Sequence, residues 1–217
     1  MIAGVSIEIG SEAVVVVSSQ PLRVLSSAVH LGGFADARAL LNVHVGKNDP
    51  CLDPSGMIAA FARRASVPAP WVGLLTGAAT ERAVVAEEAT EGCAALAVVT
   101  VGLSNPIAAG HSPIARCGVS TINIIVVVDA DPEPAALVNA VITATEVKGL
   151  ALRAAGLVVE EGVAASGTST DAVVIAATGR GARARFGGPA SPLGWVVARA
   201  VRVALDRSIR DWQERAR

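Results

Sequence analysis

The first thirty residues alternate between apolar and polar side chains in the manner of short β-strands. Residues 5–9 alternate valine or isoleucine with polar residues, and a period of two is typical of a strand with one face in solvent. A turn is predicted at 10–11, with further strands at 13–17 and near 23–28. Together these segments predict an antiparallel meander.

The rest of the chain predicts a sheet covered by helices. Apolar runs predict strands at 40–45, 71–76, 83–86, 94–101, 120–128 and 171–177. Apolar spacing and Ser-Pro or Asp-Pro starts predict helices at 54–65, 133–155 and 191–213, with Asp131 as a helix N-cap. We therefore expect an α/β fold, with α+β as the alternative. In the predicted fold, a mixed sheet that includes the meander packs against about three helices. Residues 1–217 are expected to form one domain.

One predicted strand carries polar side chains on a single face. In residues 40–45, Asn42 and His44 alternate with apolar residues, so both are expected on the same side. Imidazole exchanges protons near neutrality, which makes His44 the best candidate for a general acid or base. Asn42 is placed to orient it or a substrate amide. The alternative is a half-exposed strand histidine without a chemical role.

The long helix carries polar groups in an otherwise apolar sequence. Asn139, Thr143 and Glu146 are spaced i, i+4 and i+7, which stacks them on one face. There Glu146 would activate water or orient the histidine. Lys148 lies about 200° round the helix from Glu146, so its expected partner is Asp171 or a substrate carbonyl. For both residues the alternative is a structural salt bridge.

A turn at 167–171 gathers hydroxyl and carboxylate groups. These are Thr168, Ser169, Thr170 and Asp171. Its hydroxyls and backbone N–H groups are suited to binding amide oxygens or stabilising an oxyanion, and one hydroxyl is a candidate nucleophile. The alternative is a turn whose hydroxyls bond its own backbone. Ser104 and Asn105 form a similar polar tip after another strand, with a plain turn as the alternative.

Composition narrows the classes of function. Hydrophobic residues make up 52% and charged residues 17% of the 217 residues, which excludes global disorder. The net charge is −1 and the chain has no tyrosine, so we expect no nucleic-acid partner. No apolar run approaches the ~20 residues of a spanning helix, and no basic region opens a signal peptide. We therefore expect a cytoplasmic protein without membrane insertion, and its apolar composition is compatible with a homodimer.

Common catalytic motifs are absent from the sequence. No P-loop, dinucleotide-binding glycine pattern, H-E-x-x-H or G-x-S-x-G is present. The cysteines Cys51, Cys93 and Cys117 have no paired spacing, so we expect buried thiols rather than disulfides or zinc ligands. No metal site is predicted.

Five segments carry a resemblance to a known family. LLNVHV, VTVGLSNP, STINIIV, ITATEVK and GTSTDA occur in that order, and together they resemble the adenosylcobinamide amidohydrolase family of corrinoid salvage. The likeness covers roughly residues 26–205. Val147 stands where the family pattern has alanine, and Pro106 follows Ser-Asn where a small residue is more usual. Neither change removes a reactive side chain.

The resemblance implies hydrolysis of the amide between the aminopropanol arm and the corrin of adenosylcobinamide. The products would be adenosylcobyric acid and 1-amino-2-propanol, with the corrinoid as substrate and no cofactor implied. The hypothesised catalytic residues are His44, Glu146 and Asp171. The hypothesised substrate-binding residues are Asn42, Ser104, Asn105, Asn139, Thr143, Lys148, Thr168, Ser169 and Thr170. A corrinoid-binding module without catalysis and an amidase for another small amide are the alternatives.

Overall fold

The computed structural model describes residues 2–46, 49–114, 120–160 and 162–216. In these ranges the strands are β1 (Val5–Ile9), β2 (Ala13–Ser26), β3 (Gly33–His44), β4 (Trp71–Thr76), β5 (Val84–Thr90), β6 (Cys93–Val101), β7 (Pro106–Ile107), β8 (Ile122–Asp129), β9 (Asp131–Pro132), β10 (Gly167–Thr168), β11 (Ala172–Ala177) and β12 (Arg183–Ala184). The α-helices are α1 (Pro54–Arg64), α2 (Pro134–Ala154) and α3 (Pro192–Arg215), and a 3-10 turn covers Thr80–Arg82.

The main sheet is mixed. Across the described residues its order is β4-β3-β2-β11-β8-β6-β5, and β1 pairs with β2 at the side. The β1–β2 and β2–β3 pairs are antiparallel, which confirms the predicted meander. The β3–β4 and β8–β11 pairs are parallel. The predicted α/β class with a mixed sheet is confirmed.

The sheet folds back on itself, so that strands far apart in its order face each other. Asn42 of β3 donates a hydrogen bond to Thr100 Oγ1 of β6 at 2.8 Å, although several strands separate β3 from β6 in the sheet. Apolar side chains from both halves fill the space between them, including Val14, Leu40, Leu74, Leu96, Val98 and Ile125.

Helices cover the two outer faces of the folded sheet. On one side α2 and α3 bury Leu152 and Val197 in a cluster with Ile124 of β8. On the other side α1 buries Ile58 against Leu41 of β3. The central strands are therefore covered on both faces, which accounts for their near-continuous apolar sequences.

Helix α2 has the length and composition of a membrane-spanning segment, and it is the one such helix found in the described ranges. The face that includes Ala140, Ala144 and Leu152 is buried inside the protein. A core helix passes the same test of length and composition, so the finding is weak evidence for a span.

Strand β2 differs from the prediction of two strands at 13–17 and 23–28. Residues Ala13–Ser26 form one strand, whose register against β3 shifts between Val17 and Leu22. The irregularity contains Pro21, and a bulge tolerates a proline because the ladder is already interrupted there.

The predicted ends of three other elements are also wrong. Strand β3 begins at Gly33 rather than at residue 40. Strand β5 runs through the acidic segment to Thr90 and joins β6 by a tight turn. Helix α2 has Glu133 as its N-cap, because Asp131 and its neighbour Pro132 pair with β12. These differences arise from pairing between distant segments, which local patterns do not contain.

The cysteines do not share one environment. Cys93 is buried, as predicted, whereas Cys51 is partly exposed, and Cys117 lies outside the described residues. Burial, with a contribution from the Asp129 carboxylate, raises the pKa of the Cys93 thiol. A thiol that stays protonated at neutral pH is a poor nucleophile.

Our first prediction concerns the hydrogen bonds of Asn123, which donates to Asn42 Oδ1 at 2.8 Å and to the Leu75 carbonyl at 2.9 Å. An Asn123→Leu variant leaves both buried acceptors without this donor, at about 1–3 kcal/mol each. We expect the free energy of unfolding, measured in urea, to fall by about 2–5 kcal/mol. Asn139→Leu is the matched control on the half-buried part of α2, and it should change stability by less than about 0.5 kcal/mol. An equal decrease in the free energy of unfolding of the two variants would contradict the prediction.

Candidate functional site

A cavity of about 510 Å³ lies where the ends of several strands meet the end of α3. Its lining combines residues predicted for the site with residues that the sequence did not single out. The lining includes His44, Ala78, Val101, Ser104, Asn105, Ser120, Trp212 and Arg215. The structure thus brings together His44 of the LLNVHV segment with Ser104 and Asn105 of the VTVGLSNP segment.

The contacts of His44 define its tautomer. Its Nδ1 lies 3.0 Å from the carbonyl oxygen of Ala78, and a carbonyl oxygen can only accept a hydrogen bond, so Nδ1 carries the proton. In neutral imidazole this leaves Nε2 as an acceptor. Within the described part of the chain no group hydrogen-bonds to Nε2. This arrangement suits a residue that takes a proton from a bound molecule.

Asn42 does not orient His44, which was one of the two roles that the sequence suggested for it. Its side chain is buried, and both of its polar atoms are engaged, Nδ2 with Thr100 and Oδ1 with Asn123. The network continues to Thr121, whose hydroxyl donates to the Thr170 carbonyl at 2.8 Å. Asn42 therefore joins the two halves of the sheet rather than offering a free group to a substrate.

Asn123 and Thr121 are residues that our sequence reasoning missed. They are polar positions in STINIIV, a segment otherwise dominated by isoleucine and valine. A buried polar side chain requires hydrogen-bonding partners, so the asparagine in an apolar strand was the available signal. Trp212 and Arg215 gave no comparable signal, because on α3 the tryptophan continues an apolar stripe and the arginine fits a charged helix surface.

Lys148 and Asp171 form a buried ion pair beside the turn at 167–171. Their side chains are 10% and 9% exposed. Asp171 also accepts hydrogen bonds from the Thr168 hydroxyl, from the Thr168 N–H at 3.0 Å and from the Ile122 N–H at 3.0 Å. A buried ion pair is tolerated when the remaining hydrogen-bond donors and acceptors of its two groups also have partners, as the carboxylate oxygens of Asp171 do here. One of the two partners predicted for Lys148 is thus confirmed.

Gly167 allows the turn to approach this ion pair. A Cβ atom at residue 167 would lie 2.3 Å from Asp171 Oδ2 and 2.7 Å from Lys148 Nζ. Both distances are far below a normal contact, so a side chain here would displace one of the two charges. The close approach of residue 167 to the ion pair therefore explains why the GTSTDA segment begins with a glycine.

Asn105 connects the cavity to the turn. Its Nδ2 donates to Ser169 Oγ at 2.7 Å, and Thr168 of β10 pairs with Pro106 of β7. The cavity and the Lys148–Asp171 pair are therefore neighbours. Asn105 Oδ1 is buried and has no hydrogen-bond partner among the described residues. A buried acceptor without a donor calls for an explanation, such as a ligand.

The predicted polar face of α2 does not come to this site. Glu146 is exposed and makes no hydrogen bond or ion pair with any described residue, so it does not orient His44. Lys148 faces Asp171, and Glu146 lies about 200° round the helix from it. Thr143 is buried and donates to the Gly187 carbonyl at 3.0 Å, which holds a loop against α2. Asn139 lies about 13 Å along the helix axis from Lys148.

The remaining predicted residues lie at the surface of the turn. Ser169 is half-buried and Thr170 is exposed. The described ranges contain no group of three or more His, Cys, Asp or Glu side chains that could hold a metal ion.

Comparison with known proteins identifies related sequences. The profile of a family described as adenosylcobinamide amidohydrolase matches residues 2–217. An adenosylcobinamide amidohydrolase of Methanosarcina mazei is 35% identical over 145 residues, which are 67% of this chain and 64% of that protein. One of Halobacterium salinarum is 35% identical over 160 residues, 70% of this chain and 62% of that protein. The chain thus spans less than two thirds of the length of either relative.

A solved structure shares the fold. It is the crystal structure of the PH0078 protein from Pyrococcus horikoshii OT3, with a TM-score of 0.53 and 11% sequence identity over 96% of this chain and 80% of that chain. At this level of identity the likeness concerns the fold alone.

Our second prediction tests the packing at Gly167. Gly167→Ala should separate Lys148 from Asp171 and lower the free energy of unfolding by about 2–4 kcal/mol. Gly149→Ala makes the same change in α2, where nothing lies within 4 Å of the added carbon. It should raise stability by about 0.5–1 kcal/mol because alanine favours a helix. Urea denaturation of both variants measures the difference, and a fully stable Gly167→Ala protein would contradict the close approach.

Proposed function

Because this chain belongs to the adenosylcobinamide amidohydrolase family, we propose that it hydrolyses the amide between the aminopropanol arm and the corrin of adenosylcobinamide. The products would be adenosylcobyric acid and 1-amino-2-propanol. The observation that supports this proposal is one cavity that combines the unpartnered Nε2 of His44 with the Ser104–Asn105 tip, beside the buried cluster of Thr168, Asp171 and Lys148.

We assign the proton transfers to His44. Amide hydrolysis needs a proton removed from the attacking water and a proton delivered to the leaving amine nitrogen. His44 Nε2 would take the proton from water as its oxygen attacks the carbonyl carbon. The imidazolium would then give that proton to the nitrogen as the C–N bond breaks. The Nδ1 contact with Ala78 keeps the ring in the tautomer that begins this sequence.

We assign amide binding to the two polar tips. The hydroxyl and amide groups of Ser104 and Asn105, together with the turn that contains Ser169 and Thr170, would hold the carbonyl oxygen and neighbouring carboxamides. Donors aimed at the carbonyl oxygen stabilise the oxyanion of the tetrahedral intermediate. Asp171 is a positioning residue in this scheme, because its oxygens already bind Lys148, Thr168 and the Ile122 N–H.

Water is our proposed nucleophile rather than the Thr168 hydroxyl. That hydroxyl donates to Asp171, which is the contact a nucleophile needs with its base. However, the oxygens of the same carboxylate are already occupied by the ammonium group of Lys148 and by the backbone N–H groups of Thr168 and Ile122. Thr168 is also buried, which restricts its access to a carbonyl carbon.

The proposal is tested by incubating chelator-treated protein with adenosylcobinamide and analysing the corrinoid by chromatography and mass spectrometry. A product with the mass of adenosylcobyric acid would support it and show that no added metal is needed. Unchanged substrate that elutes with the protein would indicate a binding module instead. Substrate that neither binds nor reacts would indicate another amide as the substrate.

Our third prediction separates His44 from the other candidates. His44→Ala should lower kcat by at least about 100-fold, because general acid–base catalysis contributes about 10²–10⁴. Glu146→Gln should leave kcat within about twofold, because the carboxylate faces away from the cluster. His30→Ala is the matched histidine control, since His30 bonds Ser55 outside the cavity, and it should also leave kcat within about twofold. The same assay measures all three, and an active His44→Ala enzyme would refute the assignment.

A further inference from the structure

We propose that the corrin macrocycle of the substrate binds in a second, apolar groove next to the cavity, while only the aminopropanol arm enters the cavity. The groove has a volume of about 530 Å³ and shares Ser104 and Asn105 with the cavity. This inference rests on the proposed function and names the surface that recognises the bulk of the substrate.

The size of the cavity requires a second surface. Pockets of about 300–1,000 Å³ hold drug-sized ligands, and adenosylcobinamide is larger, because it carries a macrocycle, a nucleoside and several carboxamide side chains. A cavity of about 510 Å³ accommodates the arm and its amide bond. The macrocycle must then lie against whatever surface continues from the cavity mouth.

Two walls of apolar side chains form the groove. One wall contains Pro106, Ile107 and Pro113, and the other contains Val158 and Val159. Val158 is 50% exposed, so an apolar side chain stands at the surface with nothing in the described protein covering it. A flat hydrocarbon face would pack against these apolar side chains, and burial of apolar surface is the main source of such binding.

Backbone hydrogen bonds hold the walls in place. The Ser166 N–H donates to the Ile107 carbonyl at 2.9 Å, and the Ala109 N–H donates to Ser166 Oγ at 2.9 Å. The Val159 N–H donates to the Val163 carbonyl at 2.9 Å, which ties the second wall to a neighbouring part of the chain. A groove with fixed walls loses little conformational entropy when a rigid ring binds.

The polar groups of the groove also fit a corrinoid. Asn105 Oδ1, the buried acceptor without a partner, lies at the junction of cavity and groove. A carboxamide N–H beside the scissile bond would supply its missing donor. Glu160 also lines the groove, and its carboxylate complements the positive charge of a cobalt(III) corrinoid.

Another cavity, of about 350 Å³, is lined by Val29, Thr76, Asn123 and Thr170. It shares no lining residue with the cavity that contains His44. The groove, in contrast, shares Ser104 and Asn105 with the cavity that contains His44 and so continues from it directly. We therefore assign the macrocycle to the groove at Val158.

The test compares three exposed valines that are changed identically to asparagine. Val158→Asn alters the groove, Val29→Asn alters the other cavity, and Val138→Asn alters the outer face of α2. Their exposures are 50%, 56% and 43%, so none should disturb folding. Equilibrium dialysis with adenosylcobinamide, read by visible absorbance, gives Kd, and the hydrolysis assay gives kcat and KM.

We expect Val158→Asn to raise Kd and KM about three- to tenfold, the effect of losing part of one valine contact, with kcat within about twofold because the reacting groups are untouched. The other two variants should match the wild type. An unchanged Kd for Val158→Asn, or weaker binding by Val29→Asn instead, would overturn the groove while leaving hydrolysis intact. A wild-type protein that neither binds nor hydrolyses the corrinoid would refute the proposed function and the groove with it.

Discussion

The hydrogen bond between Asn42 and Asn123 is the constraint on which the rest of the structure depends. It joins β3 to β8 across the folded sheet, where apolar contacts supply area but do not define which residues face each other. His44 follows Asn42 by two residues on one strand, and Thr121 precedes Asn123 by two on the other. Thr121 then reaches the Thr170 carbonyl. One buried network therefore places the histidine and the polar turn relative to each other, and it does so without a mobile loop.

The ion pair of Lys148 and Asp171 extends this arrangement to the outer layer of helices. A lysine from α2 reaches a carboxylate at the start of β11, and that carboxylate also bonds the start of β8 through the Ile122 N–H. Breaking a buried pair costs more than forming it contributes, because the remaining charge lacks compensation. The helix is consequently locked to the turn, and Gly167 leaves the space that this contact requires.

Local patterns in the sequence predicted those features that depend on local physics. The predicted alternation of side chains between the two faces of residues 40–45 was correct. Ser191 caps α3 by accepting a hydrogen bond from the Gly194 N–H, as the Ser-Pro start of the helix indicated. Helical geometry also showed that Glu146 and Lys148 face different ways. It did not show which of them faces inward, because that depends on Asp171, which is distant in sequence. The fold-back of the sheet and the loss of Asp131 as a cap have the same origin in contacts between distant segments.

The proposed division of the substrate between the cavity that contains His44 and the adjoining groove follows from the chemistry of the proposed substrate. A flexible arm can enter a cavity that a rigid macrocycle cannot, so the scissile amide would be separated from the surface that supplies most of the affinity. Binding energy from such a remote surface can hold the reacting bond in place. The cavity itself then needs only a base, hydrogen-bond donors and acceptors. In the proposed function His44, Ser104 and Asn105 would meet that requirement, and the charged pair beside them would hold the turn.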